Sequence, residues 1–283
     1  MPDLWTDLLE CLDLTAGASG GVRGATEIVT FEGRNQQLEY HRLFGGQLIG
    51  QIIQAARLMC PDKAVKSVHT VFAREGRADA AVSYEAVRHH DGRSFATLTI
   101  TARQDTEDAR SGDHSRVLAT SSICMHAVED GPEHQAVDAV PPLLGPAHRI
   151  ALDLIPWETR AIEDLNDTST GSPHFEFWMR TPDVDPALAP ALAAYATDLT
   201  LIGTALRPME GVGQRGNGTQ FTSAVTSHTL WFHRPFRTDE WLLLRQHSPL
   251  LARGRSFGRG DILTERGALV ASYGQEALLR MAS

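Results

Sequence analysis

Two polar side chains stand in apolar surroundings, and both are of types that act on water. Asp198 lies in Ala196-Thr197-Asp198-Leu199-Thr200-Leu201, inside or at the start of an Ala- and Leu-rich stretch, 186–206, with helical spacing. A carboxylate there is either a helix cap favoured by the dipole or a base that accepts a proton. Gln275 lies in the middle of the extended stretch 268–279, where an internal repeat puts Ile123 at the matching place. A buried amide without partners costs about 1–3 kcal/mol, so an inward Gln275 requires a hydrogen-bonding reason; on an outward strand position it is harmless. Together, a carboxylate and an amide can hold a water molecule and take its proton.

That comparison rests on a duplication. Gly92-Arg93-Ser94-Phe95 recurs as Gly254-Arg255-Ser256-Phe257, an offset of 162 from residue 92 to residue 254. Val71-Phe72-Ala73-Arg74 is echoed by Trp231-Phe232-His233-Arg234, and Val117-Leu118-Ala119-Thr120 by Leu269-Val270-Ala271-Ser272. His69 and His228 precede the second of these matches at nearly the same place. Matches in the same order at a period this long mean duplicated domains rather than a solenoid.

Each half predicts a helix followed by strands. In the first, 45–60 carries Leu48, Ile52, Ile53, Ala56 and Leu58 at helical spacing behind two glycines. Strands follow at 64–72, 80–87, 94–103 and 116–126, with Thr97-Leu98-Thr99-Ile100-Thr101 the clearest alternation. In the second, the 186–206 helix precedes strands near 220–232, 240–248, 256–264 and 268–279. The arrangement is α+β, an antiparallel sheet wrapped around a helix in each half. Residues 128–148 hold four prolines without periodicity and read as a connector. The expected domains are therefore 1–130 and 151–283, joined by 131–150.

Other chemical signals carry less. Gly254-Arg255-Ser256-Phe257-Gly258 fits a nucleophile elbow, but no histidine follows Ser256 to complete a triad, so it reads as a turn entering a strand. Gly211-Val212-Gly213-Gln214-Arg215-Gly216 has dinucleotide-loop spacing, but it follows a helix instead of a strand. Twelve histidines include no metal-ligand spacing, and His89-His90 sits beside Asp91-Gly92 in an expected turn. The acidic stretch 105–113 reads as a solvated hairpin loop.

Composition narrows the classes further. A formal charge of −9 argues against nucleic-acid binding, which draws on phosphate neutralisation. Three scattered cysteines, Cys11, Cys60 and Cys124, form no framework and suit a reducing compartment. The acidic N-terminus lacks a secretory pattern, Met281-Ala282-Ser283 matches no targeting tripeptide, and the best apolar run, 48–59, is broken by Gly50, Gln51 and Gln54. The expectation is a cytoplasmic protein without a membrane partner.

The chain resembles the acyl-CoA thioesterase II family of tandem (double) hot-dog proteins. In the first half the resemblance lies in Leu43-Phe44-Gly45-Gly46-Gln47-Leu48-Ile49-Gly50-Gln51, Ser67-Val68-His69 to Arg74, Asp91 to Phe95 and Glu133-His134-Gln135. In the second it lies in Trp231 to Phe236, Glu240-Trp241-Leu242-Leu243, Ala252 to Gly260 and Leu269 to Glu276. It implies hydrolysis of acyl-CoA to free acid and CoA by an Asp, a Ser or Thr, and a Gln, all in the second half. Asp198 and Gln275 match the Asp and the Gln. The hydroxyl slot falls on Val225, and the family's usual Asp-His pair is Ser227-His228 here. Thr226, one residue along, becomes the candidate hydroxyl if a bulge re-aims it, since a one-residue shift otherwise turns a side chain to the other face. Gly45, Gly46 and Gln47 are the implied substrate-binding residues, the glycines permitting close approach to the backbone. Leu98 and Thr99 stand where family members often carry arginines. No metal or redox cofactor is implied, and a homodimer or larger homo-oligomer is. A non-catalytic acyl-CoA-binding protein of the same fold is the alternative. A hot-dog hydratase would need a histidine shortly after its Asp, and 198–205 contains none.

Overall fold

In Phe95–Asp105, polar and apolar residues alternate, so this strand buries Ala96, Leu98, Ile100, Ala102 and Gln104 on one face. The same period-2 logic builds both halves of the structure, a computed structural model that describes residues 3–23, 26–38, 42–105 and 115–282. The chain divides into two compact units, Met1–Gly131 and Pro132–Ser283.

The first unit runs α1 (Leu4–Leu12), β1 (Thr15–Arg23), β2 (Thr26–Gly33), α2 (Gly45–Met59), β3 (Ala64–Phe72), β4 (Val82–Asp91), β5 (Phe95–Asp105) and β6 (Ser115–His126). Its antiparallel sheet has the order β1-β2-β4-β5-β6-β3. Helix α2 packs across β3, β4, β5 and β6 and is buried along most of its length. The second unit runs β7 (Arg149–Ile150), β8 (Glu158–Ala161), β9 (His174–Arg180), α3 (Ala189–Thr197), α4 (Leu201–Leu206), β10 (Phe221–Phe232), β11 (Leu242–Ala252), β12 (Arg255–Thr264) and β13 (Leu269–Met281). Its antiparallel order is β10-β13-β12-β11-β9-β8-β7.

The duplication extends to an irregularity. The pairing of β3 with β6 shifts register between Val65 and Ser67, and that of β10 with β13 shifts between Val225 and Ser227. The two bulges sit at matching places, 160 residues apart from residue 65 to residue 225. Register also corrects the histidine match. Val68 faces Ile123 and His228 faces Gln275, so the counterpart of His228 is Val68, and His69 is an exposed neighbour.

Several sequence expectations change. Of the expected connector 131–150, residues 132–150 belong to the second unit, where Val137, Val140, Leu143 and Leu144 pack on Trp178, Trp241, Leu243 and Leu263. Their aliphatic side chains cover an apolar sheet face without needing regular secondary structure. His89 and His90 lie within β4, with the turn following Asp91. The stretch Pro186–Leu206 is long and apolar enough to cross a membrane by length and composition, more so than 48–59, yet most of it is buried as core. Gly254-Arg255-Ser256-Phe257-Gly258 is a hairpin: Arg253 (φ 53°) and Gly254 (φ 74°) form the two-residue turn between β11 and β12. Gly211 to Gly216 form a loop and a short 3-10 turn after α4. The acidic stretch at 106–113 lies outside the described residues.

Candidate active site

The second unit interrupts its helix where the first does not. Helix α3 ends at Thr197, Asp198 takes the C-cap position, and α4 begins at Leu201. A carboxylate at a helix C-terminus meets the negative end of the dipole, so capping α3 does not explain Asp198. The break is held from both sides. Beyond it, Gln246 of β11 donates from Nε2 to Thr200 Oγ1 at 2.6 Å, and Thr204 Oγ1 donates to Gln246 Oε1 at 3.0 Å. Before it, Thr197 Oγ1 lies 3.0 Å from His228 Nε2. Gly258 on β12 lets Leu201 settle on the sheet, because a Cβ at that glycine would stand 2.8 Å from the leucine Cδ2.

Gln275 points inward. It is 3% exposed on β13, between His228 on β10 and Gly258 on β12. Its Oε1 lies 2.8 Å from His228 Nδ1, while its Nε2 is buried without a hydrogen-bond partner among the described residues. Asp198, 5% exposed, brings Oδ1 to 3.9 Å from the same His228 Nδ1. The two residues flagged in the sequence, 77 positions apart from 198 to 275, thus gather around one imidazole nitrogen. His228 is fully buried, and its ring stacks on Tyr273 at 6.2 Å between centroids. Burial pushes its pKa down to about 4, partly countered by the hydrogen bond to Gln275, so the imidazole is neutral at physiological pH.

Thr226 behaves differently. It is the extra residue of the β10 bulge, and its hydroxyl donates to the Glu276 carbonyl at 2.9 Å. The bulge it required is present, yet its proton serves the strand backbone. Gln47, in the first unit, has its amide committed. Its Oε1 accepts from the Gln36 backbone N–H at 3.1 Å, and its Nε2 donates to Asn35 Oδ1 and Gln51 Oε1 at 3.0 and 3.2 Å. That pattern ties a loop to α2 and leaves no donor for a ligand. Gly45 opens α2 and is partly exposed, whereas Gly46 is buried.

Sequence reasoning missed His228, Thr197, Thr200 and Gln246 as supports of the site. The signal for His228 was available: the residue facing Gln275 across the sheet must accommodate an inward amide. Among the described residues no group of three or more His, Cys, Asp or Glu side chains is arranged to hold a metal ion. An open concavity of about 870 Å³ in this unit includes Gln275, Ser227, Arg259 and His247 in its wall, but not Asp198 or His228. It belongs mainly to the opposite face of the sheet.

An antiparallel sheet around a helix, twice in one chain, with an inward Asp and Gln in the second copy, defines a double hot-dog protein. The acyl-CoA thioesterase C-terminal domain matches residues 125–279, and the N-terminal domain of the same enzymes matches 36–135. Human acyl-coenzyme A thioesterase 8 is 28% identical, the alignment covering 89% of this chain and 84% of that one. Acyl-CoA thioesterase 2 of Haemophilus influenzae is also 28% identical, covering 88% and 92%. The crystal structure of acyl-CoA thioesterase II TesB2 from Mycobacterium marinum superposes with a TM-score of 0.72 at 30% identity, covering 98% of each chain. The chain belongs to the acyl-CoA thioesterase II family, a family of thioester hydrolases.

Proposed function

We propose that this acyl-CoA thioesterase activates water with Asp198 and holds it with Gln275. The carrying observation is the convergence of Asp198 Oδ1 and Gln275 Oε1 on His228 Nδ1, at 3.9 and 2.8 Å. Water held at Gln275 gives a proton to Asp198 as its oxygen adds to the thioester carbonyl. The tetrahedral adduct then collapses with cleavage of the C–S bond, and the CoA thiolate takes up a proton. Holding the water in place removes an entropic cost from the barrier, and general-base help contributes about 10²–10⁴-fold. The scheme uses no metal or redox cofactor.

Thr226 enters this reading only through its oxygen lone pairs, since its proton goes to Glu276. That commitment, with Val225 in the hydroxyl slot, supports a second reading in which acyl-CoA binds without turnover. Hydrolysis of acyl-CoAs of graded chain length, by the wild type and by Asp198→Asn, decides between them. Turnover that collapses in the variant supports the base; binding without wild-type turnover supports the alternative; undiminished turnover in the variant removes Asp198 from the reaction.

We further place the protein in the cytoplasm, with acyl-CoA and neither nucleic acid nor membrane as its partner. Free Cys11, Cys60 and Cys124 and the charge of −9 support this. Exposed Trp231 and Phe257 support self-association into a dimer or larger homo-oligomer.

A further inference from the structure

Gln275, His228, Thr197 and the Ala194 carbonyl form a buried chain in which protons are scarce. Gln275 Oε1 carries none, so the 2.8 Å contact with His228 requires the proton to sit on Nδ1. A neutral imidazole protonated at Nδ1 has a bare Nε2, which needs a donor. Thr197 Oγ1, at 3.0 Å, supplies it. The same hydroxyl lies 2.9 Å from the Ala194 carbonyl, and one proton cannot serve both acceptors. Asp198 favours the same assignment: with Oδ1 3.9 Å from Nδ1, the carboxylate attracts an N–H there and repels a lone pair. In the opposite tautomer, His228 would donate from Nε2 to Thr197, Thr197 would donate to Ala194, and Nδ1 would require an N–H from Gln275. The amide would then be reversed, presenting an oxygen where it now presents unpartnered protons.

We propose that His228, held as the Nδ1–H tautomer beside the Asp198 carboxylate, is a positioning residue that turns the donor end of Gln275 toward the attacking water. The water oxygen accepts from Gln275 Nε2, keeps its other lone pair for the carbonyl carbon, and directs a hydrogen to Asp198. The groups facing the imidazole are Asp198 from the end of α3, Thr197 beside it, and Gln275 and the Tyr273 ring from β13. This role rests on the reading of Asp198 and Gln275 as the water site.

The test is the long-range 1H–15N spectrum of the full chain labelled at histidine nitrogens, with His228 assigned by its absence in His228→Gln. A protonated Nδ1 and bare Nε2 at neutral pH are expected. His228→Asn, whose side-chain N–H can stand where Nδ1–H does, should keep kcat within about threefold of the wild type. His228→Val, which leaves Gln275 Oε1 without its donor, should lower kcat about tenfold with little change in KM, the size of effect one lost hydrogen bond commands. A wild-type His228 protonated at Nε2, or a folded His228→Val with undiminished kcat, overturns the proposal. If His228→Val does not fold, the wild-type spectrum decides alone. Asp198→Asn separates the two levels: if it hydrolyses at the wild-type rate the water-site reading fails, whereas an inactive Asp198→Asn alongside a wild-type His228 protonated at Nε2 overturns only the positioning role.

Discussion

At matching places in the two sheets, the first unit sets Val68, Ile123 and Leu98 side by side, and the second sets His228, Gln275 and Gly258. The side chains of Val68, Ile123, Leu98, His228 and Gln275 are all buried, and Ile123 and Gln275 are each 3% exposed. The first unit also keeps α2 continuous for fifteen residues, while the second breaks its helix at Asp198. The first unit has polar groups inside too. Gln51 accepts from Tyr84 and donates to the Cys11 and Arg34 carbonyls, so its network ties α1 and the segment after β2 to α2. One fold thus uses buried amides in two ways: saturated with partners to staple structure, or left with unpartnered N–H groups beside a carboxylate. Only the second kind can offer hydrogen bonds to a substrate or a water molecule.

The largest expected effect comes from removing what the first unit lacks. Asp198→Asn should lower kcat for acyl-CoA hydrolysis by about 10²–10⁴-fold while leaving the melting temperature close to that of the wild type.

Next in size is a pH effect confined to the second unit. The folded pKa of His228, about 4, lies below its ordinary value of 6.5, so the unfolded chain takes up a proton that the folded chain refuses. Its contribution is therefore complete above pH 6.5 and is lost as pH falls toward 4, by about 3 kcal/mol in all. Denaturant titrations across that window should show the loss in the wild type. The double variant His228→Val/Gln275→Ile, which copies the Val68–Ile123 pair, should lack this component, be at least as stable at neutral pH, and be inactive.

The reverse graft is expected to cost less. Ile123→Gln places an amide between Val68 and Leu98, where neither side chain can bond it. It should destabilise by about 1–3 kcal/mol in chemical denaturation without changing turnover measured under folded conditions. A destabilisation below 0.5 kcal/mol would show that the first unit tolerates the second unit's chemistry.

The smallest effect is expected at the bulge. Thr226→Val loses the bond to Glu276, about 1 kcal/mol, and should change kcat less than threefold, because that hydroxyl proton is not available to the reaction. A hundredfold fall in kcat would restore Thr226 as the catalytic hydroxyl.

Much of this was legible in the residues. Strict alternation gave β5, and β-branched residues with looser alternation gave β3 and β6, because the side-chain period of a half-buried strand repeats in the sequence. Strand β1, Thr-Ala-Gly-Ala-Ser-Gly-Gly-Val-Arg, was missed because it lacks that alternation of apolar and polar residues. The covering role of 131–150 was missed because an irregular segment buries aliphatic side chains with no fixed period.

By itself, the sequence determined the duplication, the α+β pattern of each half, and the two polar intrusions, since local periodicity and residue type are properties of the chain. What Asp198 and Gln275 face was decided in three dimensions. Cross-strand register set His228 opposite Gln275, a bulge left Thr226 bonded to backbone, and a helix break aimed Asp198 at the same nitrogen. Such partnerships join residues remote in the chain, and a hydrogen bond depends on the final positions of its donor and acceptor rather than on their places in the sequence.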